Sequence, residues 1–307
     1  MTVIQAPSRL CVYSNADRSG TLNFLNLIDA IVLKQHRNVT LDLSKVSFAS
    51  AAASVLFFAI VSRAQFLLED ANYIRFKWPK KEDNPEGHRW IMGTGLAVAL
   101  LAGNEEKLAK LTKEERFFQS AVEPFEHLIE TVTMLQKQAV LNPEQFSLLA
   151  SAISEAMLNV SHHAYEHQDF LSQMAILGGK RWWQCAWFDP EKNAVVFIIC
   201  DLGLGIHRSF GALGGDLDKQ NEVSSVQTAL TLGQSRFVGL GRGNGSEDIK
   251  RPIGTGCAES ETLLVLTGHA RYRYNSNDAI PRCERLSEFI PGTLVEWSLV
   301  PRRGEDD

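Results

Sequence analysis

The stretch that decides the fold runs over residues 142–165, NPEQFSLLASAISEAMLNVSHHAY. Asn142 suits a helix N-cap, Pro143 the first helical position, and Gln145 the place from which a capping-box partner reaches back to the cap. Behind that start, Phe146, Leu149, Ala150, Ile153, Met157, Val160 and Ala164 recur at the steps of three and four that turn one helix face toward a core. Glu155, Asn159 and His163 recur every four residues. Four residues advance an α-helix by about 400°, which leaves these three within about 80° of one another. Glu155 stands about 200° from both Ile153 and Met157, so the polar trio points away from the apolar stripe. Any amphipathic surface helix has a polar face opposite an apolar one, so the trio names no function by itself.

Downstream, residues 182–188 and 194–200 read as two strands. Asp189-Pro190-Glu191-Lys192-Asn193 joins them with turn chemistry, which makes a hairpin. The second strand runs into Asp201-Leu202-Gly203-Leu204-Gly205-Ile206. A carboxylate at a strand end can accept a hydrogen bond from a ligand while alternating glycines let the backbone approach it; a tight turn has the same composition. The chain stays glycine-rich to Gly256 and includes Gly239-Leu240-Gly241-Arg242-Gly243-Asn244-Gly245 ahead of a short helix predicted at 246–250. Alternating glycines before a helix start offer N–H groups to phosphate oxygens. No G-K-[ST] follows, so this is not a Walker loop. Two more strands are predicted near 262–266 and 293–299, giving helix, hairpin, glycine-rich segment and strands in that order.

Upstream, residues 39–43 alternate like a strand, 51–68 read as a buried helix, and 105–116 as a charged, solvated helical stretch. Residues 77–87, KWPKKEDNPEG, read as a surface loop or linker. The 307 residues allow roughly two domains. A hydrophobic share of 45% with 22% charged excludes a mostly disordered chain. Lys and Arg number 31 against 36 Asp and Glu, so the net charge of −5 does not mark a nucleic-acid binder. Five widely spaced cysteines without C-x-x-C suit neither a disulfide framework nor a zinc site. The apolar runs at 51–61 and 96–102 are shorter than the ~20 residues of a membrane span, and the first residues lack a basic region followed by an apolar run. The expectation is a soluble, cytoplasmic protein.

Taken in order, the chain shows E-x3-N-x3-H-A on a helix, D-x-G-x-G after a strand, a long intervening segment, G-x-G-x-G, and Gly292-Thr293 before a strand. This set resembles the ATP-binding domain of the GHKL superfamily, the Bergerat fold of gyrase, heat-shock chaperone, histidine kinase and MutL ATPases. The resemblance covers 142–301, roughly half the chain. It implies an α/β sandwich, a mixed sheet with helices on one face, and ATP or ADP with Mg²⁺ as ligands. By the resemblance Glu155 is the general base that orients or deprotonates a water, and Asn159 is the Mg²⁺ ligand. His163 falls near the phosphates, with packing at the helix end as its other role. Asp201 accepts the adenine amino group, Gly203 and Gly205 permit close approach of the base, and Thr293 belongs to the same nucleotide-binding set. Gly239, Gly241, Gly243 and Gly245 shape the phosphate end of an ATP lid over 207–238, where Arg242 adds a phosphate contact.

The lid segment, with Gly214-Gly215-Asp216 and a helix-like 222–232, does not follow the histidine-kinase pattern. His127 lies in 117–141 without the setting of a phosphoacceptor, so a self-phosphorylating sensor kinase is disfavoured. The resemblance therefore implies slow Mg²⁺-dependent ATP hydrolysis that closes a lid and changes a regulatory protein–protein surface, with an ATP-dependent homodimer possible. The alternatives are a protein serine kinase of the anti-sigma type, which shares the E-x3-N helix, and a nucleotide-binding scaffold without turnover.

Residues 40–53, TLDLSKVSFASAAA, resemble the strand–loop–helix of STAS domains. Ser50 stands where that family has Asp, and Ala51 where it has the regulatory Ser, so phosphorylation switching is not implied. The domain reading is a STAS-like α/β region over 1–104, a helical connector over 105–141, and a GHKL ATP-binding domain over 142–307.

Overall fold

The computed structural model describes residues 2–139, 141–211, 222–230, 249–253, 258–278 and 280–301. The chain is a mixed α/β protein that divides into two compact units, residues 1–121 with 171–185, and residues 122–170 with 186–307.

The first unit opens with β1 (Thr2–Gln5), β2 (Arg9–Leu10), α1 (Asn15–Asp29), β3 (Val39–Asp42), β4 (Phe48–Ala49) and α2 (Ala51–Leu67). β5 (Ile74–Lys77) completes a parallel sheet in the order β1-β3-β5, with Val3 opposite Thr40 and Leu41 opposite Phe76. β2 and β4 form a separate parallel pair. The strand–turn–helix expected at 40–53 is present. Ser50 is its N-cap, accepting the Ala53 N–H, and every residue over 52–65 is buried because α2 is apolar nearly all round. The loop read at 77–87 leads into α3 (Pro85–His88). Its cap, Asn84, also donates its amide to the Ser44 and Val46 carbonyls, tying the loop back to the strand region. α4 (Leu96–Leu100), α5 (Glu105–Lys113) and β6 (Phe118–Ala121) follow.

Residues 105–141, read from the sequence as a helical connector, carry α5 and β6 in the first unit and α6 (Pro124–Gln138) in the second. α7 (Pro143–Asn159) comes next and continues as a π-helical turn over Val160–Ala164. The first unit resumes with α8 (Leu171–Ile176) and the first half of β7 (Trp182–Asp189), where Phe118 of β6 stands opposite Cys185. Arg181, ahead of β7, is fully buried. Its guanidinium donates to the Leu177 carbonyl at 2.9 Å and the Ser120 hydroxyl at 3.3 Å, pairs with Glu105, and lies over the Phe66 ring.

The second unit takes the rest of β7, then β8 (Ala194–Asp201), α9 (Ile206–Gly211), α10 (Glu222–Ala229), β9 (Ala258–Asn275) and β10 (Arg282–Pro301). Its strand order is β7-β8-β10-β9, with β10 antiparallel to both β8 and β9. The β7–β8 hairpin has the turn chemistry expected of it: the Asp189 carboxylate accepts the Glu191 and Lys192 N–H groups, and Asn193 takes a positive φ of 49°. β9 and β10, 18 and 20 residues long, extend well beyond the two short strands expected. Their register slips between Arg285 and Ile290 and again between Ile290 and Thr293. Phe197, Leu263, Leu294 and Trp297 are fully buried core of this sheet.

No helix among the described residues is long and apolar enough to cross a membrane. Cys11, Cys185, Cys200 and Cys283 are free thiols.

Candidate functional site around Asp201

α7 begins as its sequence dictates, with both capping-box bonds formed between Asn142 and Gln145 and with Pro143 in the first turn. Leu149, Ala152, Ile153, Ala156 and Met157 are buried, while Glu155 and Asn159 are half-buried. The α-helix ends at Asn159. His163, also half-buried, lies in the wider π-helical turn, so the α-helical step that set it on the same face as Asn159 no longer applies there. Similar π-helical turns lie at Ala30–Lys34 and Arg89–Gly93, so the turn by itself marks no site.

The π turn delivers its last residue to the D-x-G-x-G loop. Leu204 donates its N–H to the Ala164 carbonyl at 2.7 Å, and Leu202 donates to the Tyr165 hydroxyl at 3.2 Å. A Cβ on Gly203 would lie 2.0 Å from the Ala164 oxygen, so only glycine fits. Asn159, where the α-helix ends, is five residues before Ala164, and Glu155 lies about one turn further back.

At the strand ends, Asp201 of β8 stands opposite Thr293 of β10, and Thr293 stands opposite Thr267 of β9. The register break just before Thr293 is occupied by Gly292 at a φ of +68°, where a Cβ would come 2.1 Å from the Asp201 carbonyl oxygen. Bulges with a left-handed glycine re-aim the following side chain, here Thr293. Thr267 ties the corner together: its hydroxyl donates to the Gly292 carbonyl at 2.9 Å and accepts the Ile206 N–H at 3.0 Å. Gly205, at a φ of +76°, makes the turn between these bonds possible.

The Asp201 side chain is buried, and its Oδ1 accepts the Gly203 N–H at 2.8 Å. Burial pushes its pKa up to about 7, against the opposing pull of backbone N–H bonds from Gly203, Thr293 and Asp201 itself. The result is a carboxyl poised near neutrality at a strand end, held by backbone donors and, among the described residues, by no cationic side chain.

Asp201, Gly203, Gly205 and Thr293 thus meet at one corner, next to the end of the helix that carries Glu155 and Asn159. Gly239, Gly241, Arg242, Gly243 and Gly245 lie outside the described residues, as does most of the lid segment expected over 207–238. The helix-like 222–232 is present as α10. Its Glu222 is buried and accepts the His269 N–H from β9 at 2.8 Å. Sequence reasoning missed Thr267 and Tyr165. A threonine directly after the apolar run Leu263-Leu264-Val265-Leu266 and directly before Gly268 was the available signal for the first. Among the described residues no group of three or more His, Cys, Asp and Glu could hold a metal ion. No family model matches the chain, and no curated protein matches it.

Proposed function

We propose that the second unit binds an adenine nucleotide with Mg²⁺ and hydrolyses it slowly, using the binding to alter a surface that a regulatory protein partner reads. The observation that carries the reading is the buried Asp201 carboxyl beside Thr293, backed by Gly203 and Gly205 and abutting the end of the Glu155–Asn159 helix. The chemistry of these groups suits the ligand. A desolvated carboxylate is a strong acceptor for an exocyclic amino group. An amide oxygen such as that of Asn159 suits a hard cation, which in nucleotide sites completes its shell with phosphate and water oxygens.

In this reading Asp201 accepts from the amino group, Gly203 and Gly205 let the loop after it fold tightly onto Ala164 and Thr267, and Thr293 and Thr267 hold the carboxyl's strand ends in place. Asn159 offers its side-chain oxygen to Mg²⁺, which neutralises phosphate charge. Glu155, one turn earlier on the same helix face, orients a water and takes its proton. His163 and the glycines of 239–245 contact the phosphate end. The STAS-like first unit is the candidate surface for the partner, and the free thiols accord with a reducing, cytoplasmic setting.

Titration calorimetry with ADP and with ATP plus Mg²⁺ tests the reading. The wild-type chain should bind both, D201N should lose at least about tenfold in affinity, and E155Q should bind ATP while releasing no phosphate. Absence of binding by the folded wild-type chain overturns nucleotide recognition. Unchanged phosphate release by E155Q removes Glu155 from the chemistry.

A further inference from the structure

The first unit contains a second constellation, made of residues the nucleotide reading does not use. Among the described residues β5 is an edge strand of its sheet, and an open cleft of about 330 Å³ lies against it. Phe76 and Trp78 line the cleft as a stacked pair, ring centroids 4.6 Å apart and planes 14° from parallel. Arg75 and Lys107 also line it. Both are exposed, and neither forms an ion pair with an acid among the described residues; the Lys107 ammonium has only the Leu101 carbonyl, at 3.4 Å. Gln65 is a further wall, 1% exposed. Its Nε2 donates to the Leu100 carbonyl at 3.1 Å, while its buried Oε1 has no hydrogen-bond partner among the described residues.

The rings and the cations call for different parts of a ligand. A stacked pair of rings at a cleft accepts a third flat ring in offset stacking. Two cations without a carboxylate between them call for an anion, which gains more from them in a partly desolvated cleft than on open surface. The Gln65 amide oxygen is closed off from the cleft, packed against Gly103, and takes no part in the site. The volume lies at the small end of the ~300–1,000 Å³ range of ligand sites, which suits one bicyclic ring and its anionic group.

The geometry points to a binding site on the first unit for a small planar aromatic anion. The ring stacks on the Phe76–Trp78 pair, and the anionic group meets Arg75 and Lys107. Such a site gives the first unit a ligand of its own, distinct in chemistry from one recognised through a buried carboxyl.

Saturation-transfer NMR on the full chain tests this, with indole-3-carboxylate as the probe. Indole-3-carboxamide lacks the charge, and cyclohexanecarboxylate lacks the flat ring. The carboxylate probe should receive saturation, and both controls much less. The double variant R75E/K107E changes only exposed side chains and should retain the fold, checked by circular dichroism. It should weaken probe binding by about tenfold or more, the scale of losing charge-assisted contacts. W78L should do the same while leaving ADP binding unchanged. No saturation of indole-3-carboxylate, equal saturation of the carboxamide, or a signal that survives R75E/K107E overturns the proposal.

Discussion

Gly203 is packed so closely on Ala164 that a Cβ at position 203 would lie 2.0 Å from the Ala164 carbonyl oxygen, the same oxygen that accepts the Leu204 N–H at 2.7 Å. The contact joins the end of the helix bearing Glu155 and Asn159 to the loop that follows Asp201. Two motifs some forty residues apart are thereby made into one corner.

G203A should therefore destabilise the second unit by about 1–3 kcal/mol, the range for forced overpacking, and should abolish nucleotide binding with it. Gly93 is the control: a Cβ there meets nothing within 4 Å, and G93A should leave stability nearly unchanged. Urea unfolding of both variants checks the difference. Equal stability of G203A and wild type would show that the loop can move away from Ala164.

The raised pKa of Asp201 has a definite sign. A carboxyl whose folded pKa is about 7 binds its proton more tightly folded than unfolded. Its contribution to stability is full below its unfolded pKa of about 4 and is lost as pH rises toward 7. The free energy of unfolding of the ligand-free chain should carry a falling component of about 1.4 kcal/mol per pH unit in that window. D201N should remove that component, leaving a flatter profile. An unchanged slope in D201N means that Asp201 titrates near its ordinary value.

Nucleotide affinity should run the other way with pH. An amino donor favours the ionised carboxyl, so ADP should bind more tightly at pH 8 than at pH 6, by up to about tenfold per unit below the pKa. Calorimetry at the two pH values, with D201N as reference, separates this effect from titration of the ligand.

In the first unit, Arg181 is the buried member of its pair and Glu105 is largely solvated. Removing the acid takes a charged partner from a buried cation, so E105A should cost about 1–3 kcal/mol. R181M removes the buried charge altogether and leaves the carboxylate in water, so it should cost less than E105A. The reverse order in denaturant unfolding would contradict the burial argument.

Ser50 gives a simpler expectation. Its hydroxyl caps α2, and S50A should lower stability by about 0.5–2 kcal/mol, seen as a reduced urea midpoint.

Local signals wrote much of this protein in advance. The capping box at Asn142 and Gln145, the apolar stripe of α7, the turn at Asp189 and the mostly apolar α2 each depend on residues within a turn or two of one another, so spacing alone reveals them. The sequence likewise marked Asp201 with its glycines as a strand end followed by a close turn. Tertiary structure decided what no short window holds: the π turn after Asn159, the bulge at Gly292 that sets Thr293 opposite Asp201, and the entry of Thr267 from a third strand. These are long-range pairings, fixed when strands far apart in the chain find their register and water is expelled from between them. The same expulsion raises the Asp201 pKa, because a carboxyl's affinity for its proton depends on what surrounds it rather than on which residues flank it.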